Sequence, residues 1–236
     1  ILDEEISMFR TRLTDTLGIK YPIIGGAMGG ISTGEFTAAV SNAGGLGLIA
    51  AVLGRTHNKE ALRRMIRTCR NLTDKPFGVN IPIIVLDPET VNAYIDCCIE
   101  EGVKVVETAG QNPKPYAVRI KKAGLIWLHK VATVRHAQSA ERAGVDAVVV
   151  VGWETAGFTG LDGLGLTVLV PSVRDAVKIQ VIAAGGVADG RGLAALLALG
   201  ADGVQIGTVL MVAKESHAHR KFKEWIIQAK ANETTH

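Results

Sequence analysis

Short, almost continuously apolar runs alternate along this chain with longer amphipathic stretches. The runs are rich in Val, Ile and Ala and fall at 22–26, 47–52, 77–81, 103–108, 126–131, 147–152, 181–185 and 203–207. A strand with one wet face alternates apolar and polar residues. Runs without that alternation predict strands covered on both faces, as in parallel sheets. The amphipathic stretches predict helices over 33–42, 59–69, 88–101, 113–122, 134–143, 167–177, 190–199 and 216–231. Eight strands, each followed by a helix, predict an α/β fold of the (β/α)8 TIM barrel type. The rival is a doubly wound open sheet. No GxGxxG opens a helix after the first strand, which speaks against its dinucleotide-binding version.

The composition suits one such domain spanning 1–236 without a linker: 47% of the residues are hydrophobic and 21% charged. A mean hydropathy of +0.24 argues against disorder. The formal charge is only +3, and the Lys and Arg residues are scattered rather than gathered with aromatics, so nucleic acid is a poor partner. Cys69, Cys97 and Cys98 are odd in number and lack a CxxC spacing. Reduced thiols are preferred over a disulfide or zinc site. No apolar run approaches bilayer length, and the first residues, ILDEEISMFR, hold no signal core. The expectation is a cytoplasmic protein with no membrane partner.

Candidate chemistry gathers at strand ends. In a barrel, the loops after the strands build the active face, and those after the seventh and eighth commonly cradle phosphate. Here the seventh strand ends in Ala183, Ala184, Gly185, Gly186 and the eighth in Gln205, Ile206, Gly207, Thr208. Glycine lets backbone approach a phosphate, and the following helix start presents unpaired N–H groups. Either motif alone could equally be a tight turn; together they favour a phosphate-bearing ligand. The first strand ends in Gly25, Gly26, Ala27, Met28, Gly29, Gly30, which suits a flat ligand lying on the backbone, although Met28 alone reads as core packing. Asn80 could bond a polar ring edge or form a turn before Pro82. Lys130, in an apolar strand, needs an acceptor or an opening to solvent, and either a bound ring or a structural ion pair would serve.

The segments YPIIGGAMGG, AAVSNAGGLGLIA, FGVNI, AGVDAVVVVGWETAGFTG, VIAAGGVADGRGLAALLALGADGVQIGT and AKESHAH resemble the nitronate monooxygenase family. That family, formerly called 2-nitropropane dioxygenase, includes FabK-type enoyl-acyl-carrier-protein reductases and NAD(P)H:quinone reductases. The resemblance runs over about 13–229. It implies non-covalently held FMN and oxidation of nitronates or reduction of an enoyl or quinone substrate, with NAD(P)H a potential electron donor. Position by position, it implies that Ala27, Met28 and Asn80, beside Gly26, meet the isoalloxazine ring. Lys130 would meet the ring's polar edge or the ribityl chain, and Gly185, Gly186, Gln205, Gly207 and Thr208 would hold the phosphate.

One departure bears on chemistry. After the sixth strand the family usually reads Glu, Ala, Gly, Gly, His, x, Gly; this chain reads Glu154, Thr155, Ala156, Gly157, Phe158, Thr159, Gly160. Phe158 takes the histidine's place and cannot accept a proton, which leaves the catalytic residue unknown. With Trp153 it makes the loop apolar, suiting a flat or hydrophobic small-molecule substrate, or simply packing the loop. Glu107, Glu154 and His129 are other proton-transfer candidates. Each is individually read as structural, His129 most of all because strand alternation turns it away from Lys130. Ser216, His217, His219 and Arg220 read as a solvated helix start, not a metal site. The family's C-terminal extension is short here, and a homo-oligomer is allowed. A non-redox phosphate-binding barrel enzyme and an FMN-binding subunit without turnover stay open as alternatives.

Overall fold

The structure, a computed structural model, describes residues 10–52, 58–157, 160, 162–230 and 233. Its strands are β1 (Ile23–Gly25), β2 (Gly47–Ala50), β3 (Phe77–Pro82), β4 (Val105–Ala109), β5 (Ile126–Val131), β6 (Ala147–Val151), β7 (Gln180–Ala184) and β8 (Gly203–Ile206). They form one sheet in the order β1-β8-β7-β6-β5-β4-β3-β2. Neighbouring strands pair in parallel. A bridge between Ile24 and Leu46 joins the two ends. There the Gly25 N–H donates to the Leu46 carbonyl at 2.8 Å, and the Leu46 N–H to the Ile23 carbonyl at 2.9 Å. The sheet thus closes on itself as a (β/α)8 barrel.

The helices are α1 (Arg12–Leu17), α2 (Gly34–Asn42), α3 (Lys59–Leu72), α4 (Pro88–Glu100), α5 (Ala117–Lys122), α6 (Val134–Arg142), α7 (Leu166–Ala176), α8 (Gly190–Ala198), α9 (Thr208–Met211) and α10 (Arg220–Gln228). Two of them, α1 and α9, fall outside the sequence expectation. The helix expected over 113–122 instead opens with a 3-10 turn, Lys114–Tyr116. The one expected from 216 begins at Arg220, where His219 Nδ1 accepts the Lys221 N–H at 3.2 Å and sets the first turn.

Strand alternation divides the apolar residues between two cores. Val79, Val106, Trp127, Val148 and Val181 face outward against Leu62 and Ile66 of α3, Ile95 of α4, Ile120 of α5 and Val173 of α7. Leu48, Val105, Leu128, Val149 and Ile182 face the lumen. Burial on both faces is why the strands read as unbroken apolar runs.

The amino-terminal mouth of the barrel is stoppered by α1. Leu13 and Leu17 join the lumen core, each contributing about 1.5–3 kcal/mol if fully buried. Thr11 caps the helix, and its hydroxyl donates to the Asp202 carbonyl at 2.7 Å. Arg12 donates twice to the Asp202 carboxylate, at 2.8 and 2.8 Å. Gly203 is required beneath the stopper. A Cβ there would sit 2.5 Å from Leu13 Cδ2 and 2.7 Å from the Pro22 carbonyl oxygen.

Candidate active site

Above the apolar lumen, the inward positions of four strands change from apolar to polar. The same alternation that turns Val105 and Leu128 inward turns Glu107 and Lys130 inward two residues later. Asn80 comes from β3 and Gln205 from β8, and both are buried. Glu107 is fully buried and lies at the centre. Its Oε1 accepts from Asn80 Nδ2 at 2.6 Å, and its Oε2 from Gln205 Nε2 at 2.5 Å. Lys130 Nζ lies 3.7 Å from Oε1. In the ring of eight strands, β4 and β8 stand opposite each other, so the bond to Gln205 crosses the lumen. A carboxylate this deep is tolerable only because donors surround it.

The rim over this network is built from turns. Beyond β1, the Gly26 N–H donates to the Ile206 carbonyl at 2.8 Å. The Met28 N–H donates to Ser32 Oγ at 2.9 Å, and the buried Ser32 also accepts from Ala50 through its carbonyl. Ser32 therefore fixes the glycine-rich turn bearing Gly26, Ala27 and Met28, a role the sequence did not single out. A Cβ on Gly207 would meet only Met28 Sδ, at 3.9 Å, so the rim between β1 and β8 has open space. Thr208, the first residue of α9, is exposed beside it. Gly185 and Gly186 follow β7, at φ 135° and 63°, values that favour glycine. A Cβ on Gly185 would meet Thr155 Oγ1 at 2.6 Å, and one on Gly186 would meet Glu154 Cβ at 3.2 Å. These two glycines thus also pack against the loop after β6.

All ten positions that the sequence singled out lie at the carboxyl ends of β1, β3, β5, β7 and β8. A profile of the family described as nitronate monooxygenase matches residues 10–235. The chain belongs to that family. It is 38% identical to the (3aS,4S,5R,7aS)-5-hydroxy-7a-methyl-1-oxo-octahydro-1H-indene-4-carboxyl-CoA dehydrogenase of Rhodococcus jostii, over 98% of this chain and 63% of the relative. To a probable nitronate monooxygenase of Staphylococcus aureus it is 33% identical, over 95% of this chain and 74% of that one. The solved structure of FabK from Thermotoga maritima superposes with a TM-score of 0.87 at 44% identity, covering 94% of this chain and 68% of that chain. The chain spans less than two thirds of the length of the dehydrogenase relatives, 63% and 61%.

Within this nitronate monooxygenase family member, the remaining proton-transfer candidates separate cleanly. Both Glu154 oxygens accept the Leu166 N–H, at 3.1 and 3.2 Å, at the start of α7, whose N-cap residue Gly165 has no side chain to do so. Glu154 therefore serves the helix start. His129 faces the outer core, where its Nδ1 lies 2.8 Å from Thr108 Oγ1. That hydroxyl accepts from Trp127 Nε1 at 2.9 Å and donates to the Leu128 carbonyl at 3.4 Å, so the ring sits in a buried hydrogen-bonded cluster. Burial holds His129 down to about 4, neutral at physiological pH. Burial also raises the Cys69 thiol to about 12 and pushes Cys98 up, which leaves both poor nucleophiles. Phe158 and Thr159 lie outside the described residues. Among the described residues, no group of His, Cys, Asp and Glu could hold a metal, and no helix is long and apolar enough to cross a membrane. The groove beside Ile99, Val118 and Arg119 lies on the outer wall and is lined by exposed or half-buried side chains without convergent chemistry.

Proposed function

We propose that this chain is an FMN-dependent oxidoreductase whose cofactor lies across the carboxyl-terminal mouth. The observation that carries this is the polar floor, Asn80, Glu107, Lys130 and Gln205, under a glycine rim with open space at Gly207. Two amides and an ammonium suit the polar edge of a planar heterocycle. The turn of Gly26, Ala27 and Met28 suits its flat face, and Gly185, Gly186, Gly207 and Thr208 suit its phosphate. Bound FMN supplies the hydride chemistry; the protein supplies position and electrostatics. Lys130 stabilises negative charge developing on the ring, and the apolar lumen beneath the polar floor excludes water.

For the reaction, both family activities fit: oxidation of a nitronate, or reduction of an enoyl or quinone substrate with NAD(P)H as donor. The likeness to a CoA-ester dehydrogenase and to FabK favours a thioester-borne substrate. Phe158 favours a substrate that needs no base, such as a preformed anion. A cytoplasmic setting accords with three free cysteines. Absorbance of the purified protein near about 370 and 450 nm tests the cofactor. Anaerobic bleaching with NADH, NADPH, a nitronate and an enoyl thioester then ranks the reactions. Protein that takes up no FMN would sink the reading.

A further inference from the structure

We infer that Glu107 is a positioning residue that decides which face of two amides the ligand meets. The inference rests on the FMN reading above. Asn80 and Gln205 reach Glu107 from β3 and β8, and each gives its amide nitrogen to a different carboxylate oxygen, at 2.6 and 2.5 Å. In a planar amide the nitrogen and oxygen point to opposite sides, so engaging the nitrogen turns the carbonyl away. Reversing either amide would set oxygen against carboxylate oxygen with no proton between them. One buried carboxylate therefore orients both amides as acceptors toward whatever binds above it. The same carboxylate anchors Lys130, at 3.7 Å. With both oxygens engaged and no exposure, Glu107 has no role as a base; it acts through its neighbours.

The chemical consequence is selectivity. A site presenting amide carbonyls favours a ring edge that carries an N–H, and a flavin ring carries one such N–H at N3. In Glu107→Gln the new amide offers one oxygen and one NH2. It can hold only one neighbour in its present orientation, and the other must turn its NH2 toward the ligand. The shape of the floor is kept while its hydrogen-bond code changes.

The test is titration of flavin-stripped protein with FMN and with N3-methyl-FMN, read by flavin fluorescence, on samples whose circular dichroism and thermal unfolding match. Wild type is expected to prefer FMN by about tenfold, the worth of one well-placed hydrogen bond. Glu107→Gln is expected to lose about tenfold in FMN affinity and most of that preference. A folded Glu107→Gln protein with unchanged affinity and preference overturns the inference. Should Glu107→Gln fail to fold, Gln205→Met removes one of the two carbonyls and leaves the carboxylate in place. Full preference for FMN in both Gln205→Met and Asn80→Leu would then overturn it. Wild type that binds neither flavin overturns the cofactor reading itself, a result distinct from all of these.

Discussion

Asp202 and Glu107 are both buried carboxylates, one at each mouth of the barrel, and their partners differ in kind. At the amino-terminal mouth, Asp202 takes two bonds from Arg12, one from Arg174 at 3.3 Å and one from the Val181 N–H at 2.9 Å. Those bonds fix α1, α7 and β7 to one another. At the carboxyl-terminal mouth, Glu107 takes donors from two amides, and each amide has a second group left to offer. The first carboxylate ends a network; the second passes one on. Both carboxylates are buried, Glu107 fully, and what separates them is the kind of partner: two arginines and a backbone N–H at Asp202, two amides and Lys130 at Glu107.

The largest expected effect breaks the lower mouth. Gly203→Val would drive side-chain atoms into Leu13 and the Pro22 carbonyl, where even a Cβ comes within 2.5 and 2.7 Å. Loss of about 3 kcal/mol is expected in denaturant unfolding, because α1 must lift from the lumen. Stability unchanged within error would mean the stopper does not bear on the barrel.

Next comes a test of the wall between the mouths. His129 titrates near 4 when folded and near the ordinary 6.5 when unfolded. The unfolded chain therefore gains a proton first as pH falls. Stability is full above pH 6.5, is lost on the way down to pH 4, and levels below that, by about 3 kcal/mol in all. Unfolding measured at pH 7 and pH 4.5 should show this drop in wild type and much less of it in His129→Gln. The pH profile of flavin reduction should not move, since His129 faces away from the lumen. A moved profile would return His129 to the candidate proton donors.

Asp202→Ala should cost about 2 kcal/mol by stranding the Val181 N–H and both arginines, while FMN retained per folded chain stays as in wild type. Loss of FMN at matched folding would erase the distinction between the mouths. The smallest effect on stability sharpens the upper mouth. Gly207→Ala has open space and should change stability by less than about 0.5 kcal/mol while weakening FMN binding severalfold. Gly185→Ala is less diagnostic, because its φ of 135° and the contact with Thr155 would lower stability by about 1–2 kcal/mol as well.

Much of this was legible in the chain itself. Unbroken apolar runs announced eight doubly covered strands, and glycines at strand ends announced the turns of the carboxyl-terminal rim, because both signals are local. The two-residue repeat of a strand turned His129 outward from Lys130 in advance. Other features had no local signal. Helix α1 is six residues long, and only its seat in the lumen makes it a stopper. Glu154 reads as one more acid in a loop until folding sets it against the Leu166 N–H. Asn80, Lys130 and Gln205 stood out singly in the sequence as ligand contacts, yet what joins them is Glu107, 98 residues from Gln205 along the chain. Only closure of the ring brings β4 opposite β8, so the sequence determined the positions and the barrel decided their partnership.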